Sequence, residues 1–142
     1  MATYSTTATT SWSAEKTFDY LADLRNFAEW DPGVSRVEMV SGEPGGADAV
    51  YDVTASGTTL RYRVVEHEAP NRLLVQAKNR FFESTDEIII EPSGKETRAT
   101  YRAELELNGP LGLFDPLLGL AFNRIGDRAA AGLEDALDGR RT

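Results

Sequence analysis

The spacing of apolar residues divides the chain into stretches of different period. Thr, Ser and aromatic residues crowd positions 2–12, a composition that suits a strand. Ser13 stands where a helix N-cap belongs, with Glu15 in the first turn that follows. Ala14, Phe18, Leu21 and Ala22 then recur at helical spacing and give that helix one apolar face. Asn26 to Trp30 reads as a second short helix, stopped by Asp31-Pro32-Gly33.

From Val34 to Leu107 the texture changes. Short β-branched and apolar runs at 34–41, 48–55, 58–68, 72–80, 82–91 and 96–108 alternate with turn-forming clusters. Those clusters are Gly42-Glu43-Pro44-Gly45-Gly46, Ser56-Gly57, Ala69-Pro70-Asn71 and Pro92-Ser93-Gly94. The pattern is that of an antiparallel meander. Its last run alternates most cleanly: Tyr101, Ala103, Leu105 and Leu107 share one face, and Thr100, Arg102, Glu104 and Glu106 the other.

After Asn108-Gly109-Pro110 the period becomes helical. Phe114, Leu118, Ala121, Phe122, Ile125, Ala129, Leu133 and Ala136 form one stripe, which predicts a long helix ending near Asp138 with Gly139 as its stop. Either Asp115-Pro116 caps this helix or Pro116 kinks one begun at Leu111. The order is strand, two short helices, six strands, long helix. Segregation of this kind predicts an α+β fold with an antiparallel sheet of about seven strands. A sheet with one apolar face and a helix with one apolar stripe must cover each other, because each otherwise leaves that surface in water.

Composition narrows the function. The 142 residues suit a single domain, and 41% hydrophobic with 27% charged residues is an ordinary globular balance. Fifteen Lys and Arg against 23 Asp and Glu leave a net charge of −8, which argues against a nucleic-acid partner and against anionic membranes. With no cysteine there is no disulfide, thiolate nucleophile or Cys-based zinc site. One histidine rules out a histidine-rich metal site, and no carboxylate spacing suggests a metal. The N-terminus MATYSTTATTSW lacks the basic and apolar regions of a signal peptide, and no apolar run approaches the ~20 residues that span a bilayer. The expectation is a cytoplasmic protein, monomeric or weakly dimeric, without stable membrane insertion and without a cofactor.

Four stretches give the chain a family likeness. Ser13 to Asp23 (SAEKTFDYLAD) followed by Trp30, Arg63 to Leu73 (RVVEHEAPNRL), Gly94 to Tyr101 (GKETRATY) and Gly109-Pro110-Leu111-Gly112 before the last helix resemble the SRPBCC (START/Bet v 1-like) superfamily. The likeness is nearest to its polyketide cyclase/dehydrase and lipid transport group. It implies a helix-grip fold, in which a curved sheet wraps the C-terminal helix around an internal cavity. It does not imply an enzyme, because the same fold hosts binders, carriers and catalysts.

Candidate site residues follow from placing the parities in that cavity. On the parity that turns Val53, Val64 and Leu105 inward, Tyr51, Tyr62 and Tyr101 face the helix, where a buried hydroxyl needs a partner that a ligand or water can supply. Phe114, Leu118, Phe122 and Ile125 would form the helical wall, or simply pack as core. Trp30 would sit at the cavity mouth or plug the helix against the sheet. Phe82, Ser84 and Asp86 share parity with Ile88 and Ile90. Asp86 would then either line the cavity with a raised pKa or reach solvent at the sheet edge, as unpaired aspartates generally do. Simple alternation puts His67 with Arg61 and Arg63 on the outer, solvent face.

Three functions remain open. The first is binding, and possibly transport, of a hydrophobic small molecule such as a lipid, quinone or polyketide. The second is cyclase or dehydratase chemistry on polyketide-like substrates through cavity Tyr and Asp groups, although no acid–base pair stands out. The third is a protein-interaction module, which exposed Phe27, Trp30, Phe81 or Phe82 would favour.

Overall fold

The computed structural model describes residues 2–55, 57–107, 127–137 and 140–141. Strand β1 (Ala2–Thr10) leads into helix α1 (Ala14–Ala22), a 3-10 turn (Leu24–Asn26) and helix α2 (Phe27–Trp30). Six strands follow: β2 (Val34–Ser41), β3 (Val50–Ala55), β4 (Thr58–Glu68), β5 (Arg72–Lys78), β6 (Phe82–Ser93) and β7 (Glu96–Leu107). Residues 127–136 form α3, and Arg140–Arg141 form a two-residue strand, β8. The fold is α+β, with the seven long antiparallel strands that the sequence pattern predicts and the helix-grip arrangement that the family resemblance implies. Phe114, Leu118, Phe122 and Ile125, the proposed helical wall, lie outside the described residues.

Local chemistry explains the element boundaries. Ser13 caps α1, its hydroxyl accepting from the Lys16 backbone N–H at 3.1 Å. Asp31-Pro32-Gly33 ends α2: Asp31 Oδ1 accepts from the Gly33 N–H at 2.9 Å, a turn that aspartate side chains commonly build. Tight hairpins join β3 through β7, and β1 closes against the far side of β7, giving the order β2-β3-β4-β5-β6-β7-β1-β8. The segment from α1 to α2 therefore carries the chain across the sheet to its opposite edge.

One face of the sheet is buried. Its rows run across strands: Val64 beside Val75, Val75 beside Asp86, and Asp86 beside Ala103. The adjacent row sets Leu73 beside Ile88 and Ile88 beside Tyr101. Helices α1 and α2 supply Phe18, Leu21, Phe27 and Trp30 to this core, and α3 supplies Ala129 and Leu133. Two tertiary hydrogen bonds tie α3 to β1. Tyr4 donates to Asp127 at 3.0 Å, and the buried Thr10 hydroxyl donates to the Leu137 carbonyl at 2.6 Å.

Simple alternation fails in β4. Its pairing to β5 shifts between Val64 and Glu66, so that Glu66 lies opposite Leu74 and His67 opposite the fully buried Leu73. The extra residue of this bulge reverses the facing of everything after it. His67 therefore points inward, not to solvent as alternation predicts. Its ring stands edge-on to Phe18 at 5.3 Å, and Nε2 donates to the Gly45 carbonyl at 2.8 Å. Arg61 precedes the bulge and stays on the outer face, paired with Asp52 at 2.9 Å.

Helix α3 meets α2 at a glycine. A Cβ on Gly132 would stand 1.6 Å from the Trp30 carbonyl oxygen, far inside van der Waals contact. Gly132→Ala is expected to lower stability by about 3 kcal/mol, because the atom it meets is backbone and cannot rotate away. Chemical denaturation of variant and parent checks this. A cost below about 1 kcal/mol would mean that α3 does not press on Trp30 as described.

Candidate functional site

A cavity of about 190 Å³ lies over the inner face of the sheet, beneath the turn that joins α2 to β2. Among the described residues, Phe27 and Val34 form its roof, and Val53, Ala55 and Leu60 one side. Phe82, Ala103 and Leu105 form the other. These walls are apolar. At ~30 Å³ per water the space would hold about six waters, and it exceeds the ~150 Å³ of an engineered apolar cavity that admits benzene. It is smaller than the ~300–1,000 Å³ of sites for drug-sized ligands.

Five polar side chains enter this apolar space: Asp31, Tyr62, Ser84, Asp86 and Tyr101. Asp86 is 5% exposed and sits in the middle of a sheet row between Val75 and Ala103. This corrects the reading that it reaches solvent at the sheet edge. An aspartate survives here because a donor comes to it from β7: Tyr101 donates to Asp86 Oδ2 at 2.8 Å. Tyr62 and Ser84 hydroxyls lie 2.8 Å apart.

Burial, reinforced by the charge of Asp31, pushes the Asp86 carboxyl up to about 7, while the hydrogen bonds from Tyr101 and Ser84 hold it lower than burial alone would. Burial likewise raises Asp31, opposed by the Gly33 N–H. The Tyr62 and Tyr101 phenols are raised first by burial and then by the Asp86 charge. The site can therefore hold a carboxylic acid close to its protonation midpoint near neutral pH, among apolar walls and beside a phenol.

Other candidates fall elsewhere. Tyr51 is fully buried, but its hydroxyl accepts from the Gly45 N–H at 2.8 Å and anchors the 42–46 turn, away from the cavity wall. Trp30 backs the cavity without lining it. Its ring stacks on Phe27 at 4.6 Å and meets Tyr101 edge-on at 5.2 Å. It plugs helix against sheet and fixes two side chains that do line the wall. Asp31 and Ser84 were not singled out in the sequence. Asp31 carried a local signal, an Asx turn before Pro-Gly, that aimed it only at a turn.

The aromatic surface that would favour an interaction module is dispersed. Phe27 and Trp30 are buried and Phe82 lines the cavity, which leaves Phe81 exposed on the β5–β6 hairpin. Among the described residues no helix is long and apolar enough to cross a membrane.

A family model described as polyketide cyclase/dehydrase and lipid transport matches residues 1–138. The chain belongs to this family.

Solved structures share the fold. A START superfamily protein from Mycobacterium smegmatis superposes with a TM-score of 0.75 at 16% identity, over 97% of this chain and 98% of that one. The protein TTHA0849 from Thermus thermophilus gives 0.72 at 20% identity, over 95% and 96%. The di-domain ARO/CYC BexL from the BE-7585A biosynthetic pathway gives 0.68 at 18% identity, over 97% of this chain and 51% of that one. At such identities the likeness shows the fold alone. No curated protein matches the chain.

Proposed function

We propose that this family member binds a small hydrophobic molecule with one polar end. The carrying observation is an apolar cavity whose polar groups converge on one carboxyl, Asp86, rather than being spread around the wall. Apolar walls supply affinity, worth ~25 cal/mol per Å² of ligand surface buried before the ordering cost of association. The convergent polar groups orient the ligand. Tyr62, Phe82, Asp86 and Tyr101 are the contact residues in this reading, joined by Asp31 and Ser84. The cavity volume fits a ring or the head of a longer molecule such as a quinone, lipid or polyketide.

One observation favours a second reading. A carboxyl raised to about 7 beside the Tyr101 phenol is suited to proton transfer on a carbonyl-rich substrate, the step a cyclase or dehydratase needs. Asp86 would be its acid–base group and Tyr101 its hydrogen-bonding partner.

One experiment addresses both. Amide chemical shifts are recorded while the full chain is titrated with ring-sized quinones, fatty acids and aromatic polyketones. Expected are shifts centred on Phe27, Val34, Leu60, Phe82 and Ala103. The ligand is then extracted and weighed. Recovery unchanged supports a binder, and recovery with the mass of water lost supports the dehydrating enzyme. A panel that moves no cavity amide sinks the binding reading.

A further inference from the structure

The Tyr101 hydroxyl proton of the cavity is already committed. Tyr101 donates to Asp86 Oδ2. The Tyr62 and Ser84 hydroxyls share a second hydrogen bond at 2.8 Å, in which either can be the donor. With the two carboxyls ionised, what remains toward the void is acceptor capacity: the other lone pairs of Asp86 and those of Asp31, whose Oδ1 takes one N–H from Gly33.

Among the described lining residues there is no Lys, Arg or His to balance these two carboxyls. Every other described charge lies outside the cavity wall, and the chain as a whole carries −8. The lining beside the carboxyls includes the aromatic side chains of Phe27, Tyr62, Phe82 and Tyr101, a residue type whose ring attracts a cation. A ligand that only accepts hydrogen bonds would bring no donor to the ionised carboxyls. An anionic one would meet two acids in a dry site. A protonated nitrogen would satisfy the acceptors and neutralise the charge that burial makes costly.

We propose that the cavity selects a hydrophobic molecule bearing a basic, hydrogen-bond-donating nitrogen, which seats against Asp86 and Asp31 while its apolar body occupies the aromatic end. This rests on the binding reading above and adds the chemical class of the ligand. Proton linkage follows. The cation binds the ionised acid, so a proton leaves Asp86 on binding wherever that group was protonated. Among the described residues the groups that face Asp86 are Tyr62 from β4, Ser84 from β6, Tyr101 from β7 and Asp31 from the α2–β2 turn; burial raises Asp31 as it does Asp86, and it raises the two phenols further from neutral pH.

The test uses three probes of one shape: phenethylamine, phenethyl alcohol and phenylacetate. Each is titrated into the full chain by calorimetry and by amide shifts. The amine is expected to bind about ten- to a hundredfold tighter than the alcohol above neutral pH, with phenylacetate weakest. Its affinity is expected to fall about tenfold per pH unit below about 7, with proton release seen as a dependence on buffer ionisation heat. Asp86→Asn and, separately, Asp31→Asn are expected to shrink the ratio of amine to alcohol affinity. Alcohol binding equal to or tighter than amine binding overturns this inference and leaves the binding reading standing. Cavity amides that respond to none of the three overturn both. An amine preference that survives in both variants overturns the assignment to these carboxyls.

Discussion

Asp86→Asn is expected to stabilise the protein by about 2–4 kcal/mol near pH 8 and by little near pH 4. The carboxyl is raised from 3.8 to about 7 in the fold. At ~1.4 kcal/mol per unit that shift corresponds to about 4 kcal/mol, an upper figure because an interior relaxes around a charge. The sign follows from proton binding. The folded chain holds the Asp86 proton more tightly than the unfolded chain does. Below 3.8 both states are protonated and the group costs nothing as a charge. As pH rises from there to about 7, the unfolded state loses its proton first and stability falls, and above that the full penalty is present. Asparagine keeps an oxygen for the Tyr101 hydroxyl and never ionises. Urea denaturation of both proteins at several pH values gives the curve. A constant difference between them across this range, or a loss of stability at high pH, would show that Asp86 is not held in a raised state. A gain would also mark the residue as one the fold retains against its own stability, which is the usual signature of a functional group.

Ala103→Phe is expected to abolish ligand binding, with at least about a hundredfold loss of affinity for any molecule that binds the parent. Ala103 is buried on β7, opposite Asp86, and lines the cavity. A ring placed there occupies the void itself. The inner face of the sheet is otherwise undisturbed, so stability is expected to stay within about 2 kcal/mol of the parent, balanced between new apolar contact and overpacking. Titration of the variant with the best ligand of the parent, beside its thermal unfolding, separates occlusion from misfolding. Full affinity in a folded variant would place the ligand elsewhere on the molecule.

The two substitutions probe different properties of one space. Asp86→Asn keeps its shape and removes its charge, whereas Ala103→Phe keeps its polar groups and removes its volume. A protein that uses the cavity only as a hydrophobic shelter would lose function with the second and retain it with the first. One that depends on the carboxyl would lose function with both.

The architecture was legible because the signals for it are local. Alternation of apolar residues along β7, the Ser13 cap and the Asp31-Pro32-Gly33 stop each act within a few residues of chain, and the structure places strand, cap and stop at those positions. Parity also brought Tyr62 and Tyr101 to the buried face. The facing of His67 was not legible. A bulge is set by which residue of β5 lies opposite, and that pairing of Glu66 with Leu74 is not written in β4 alone. The same holds for the chemistry of the cavity. Residue type makes Asp86 a solvent-seeking group. Its burial depends on a phenol 15 positions away, the α2–β2 turn above the inner face and apolar strands on either flank, which meet only when the sheet closes over them. Sequence determined the elements and their buried faces, because propensity and period are properties of neighbouring residues. Tertiary structure alone decided which polar atoms share one dry space, because desolvation and hydrogen bonding depend on groups brought together from distant parts of the chain.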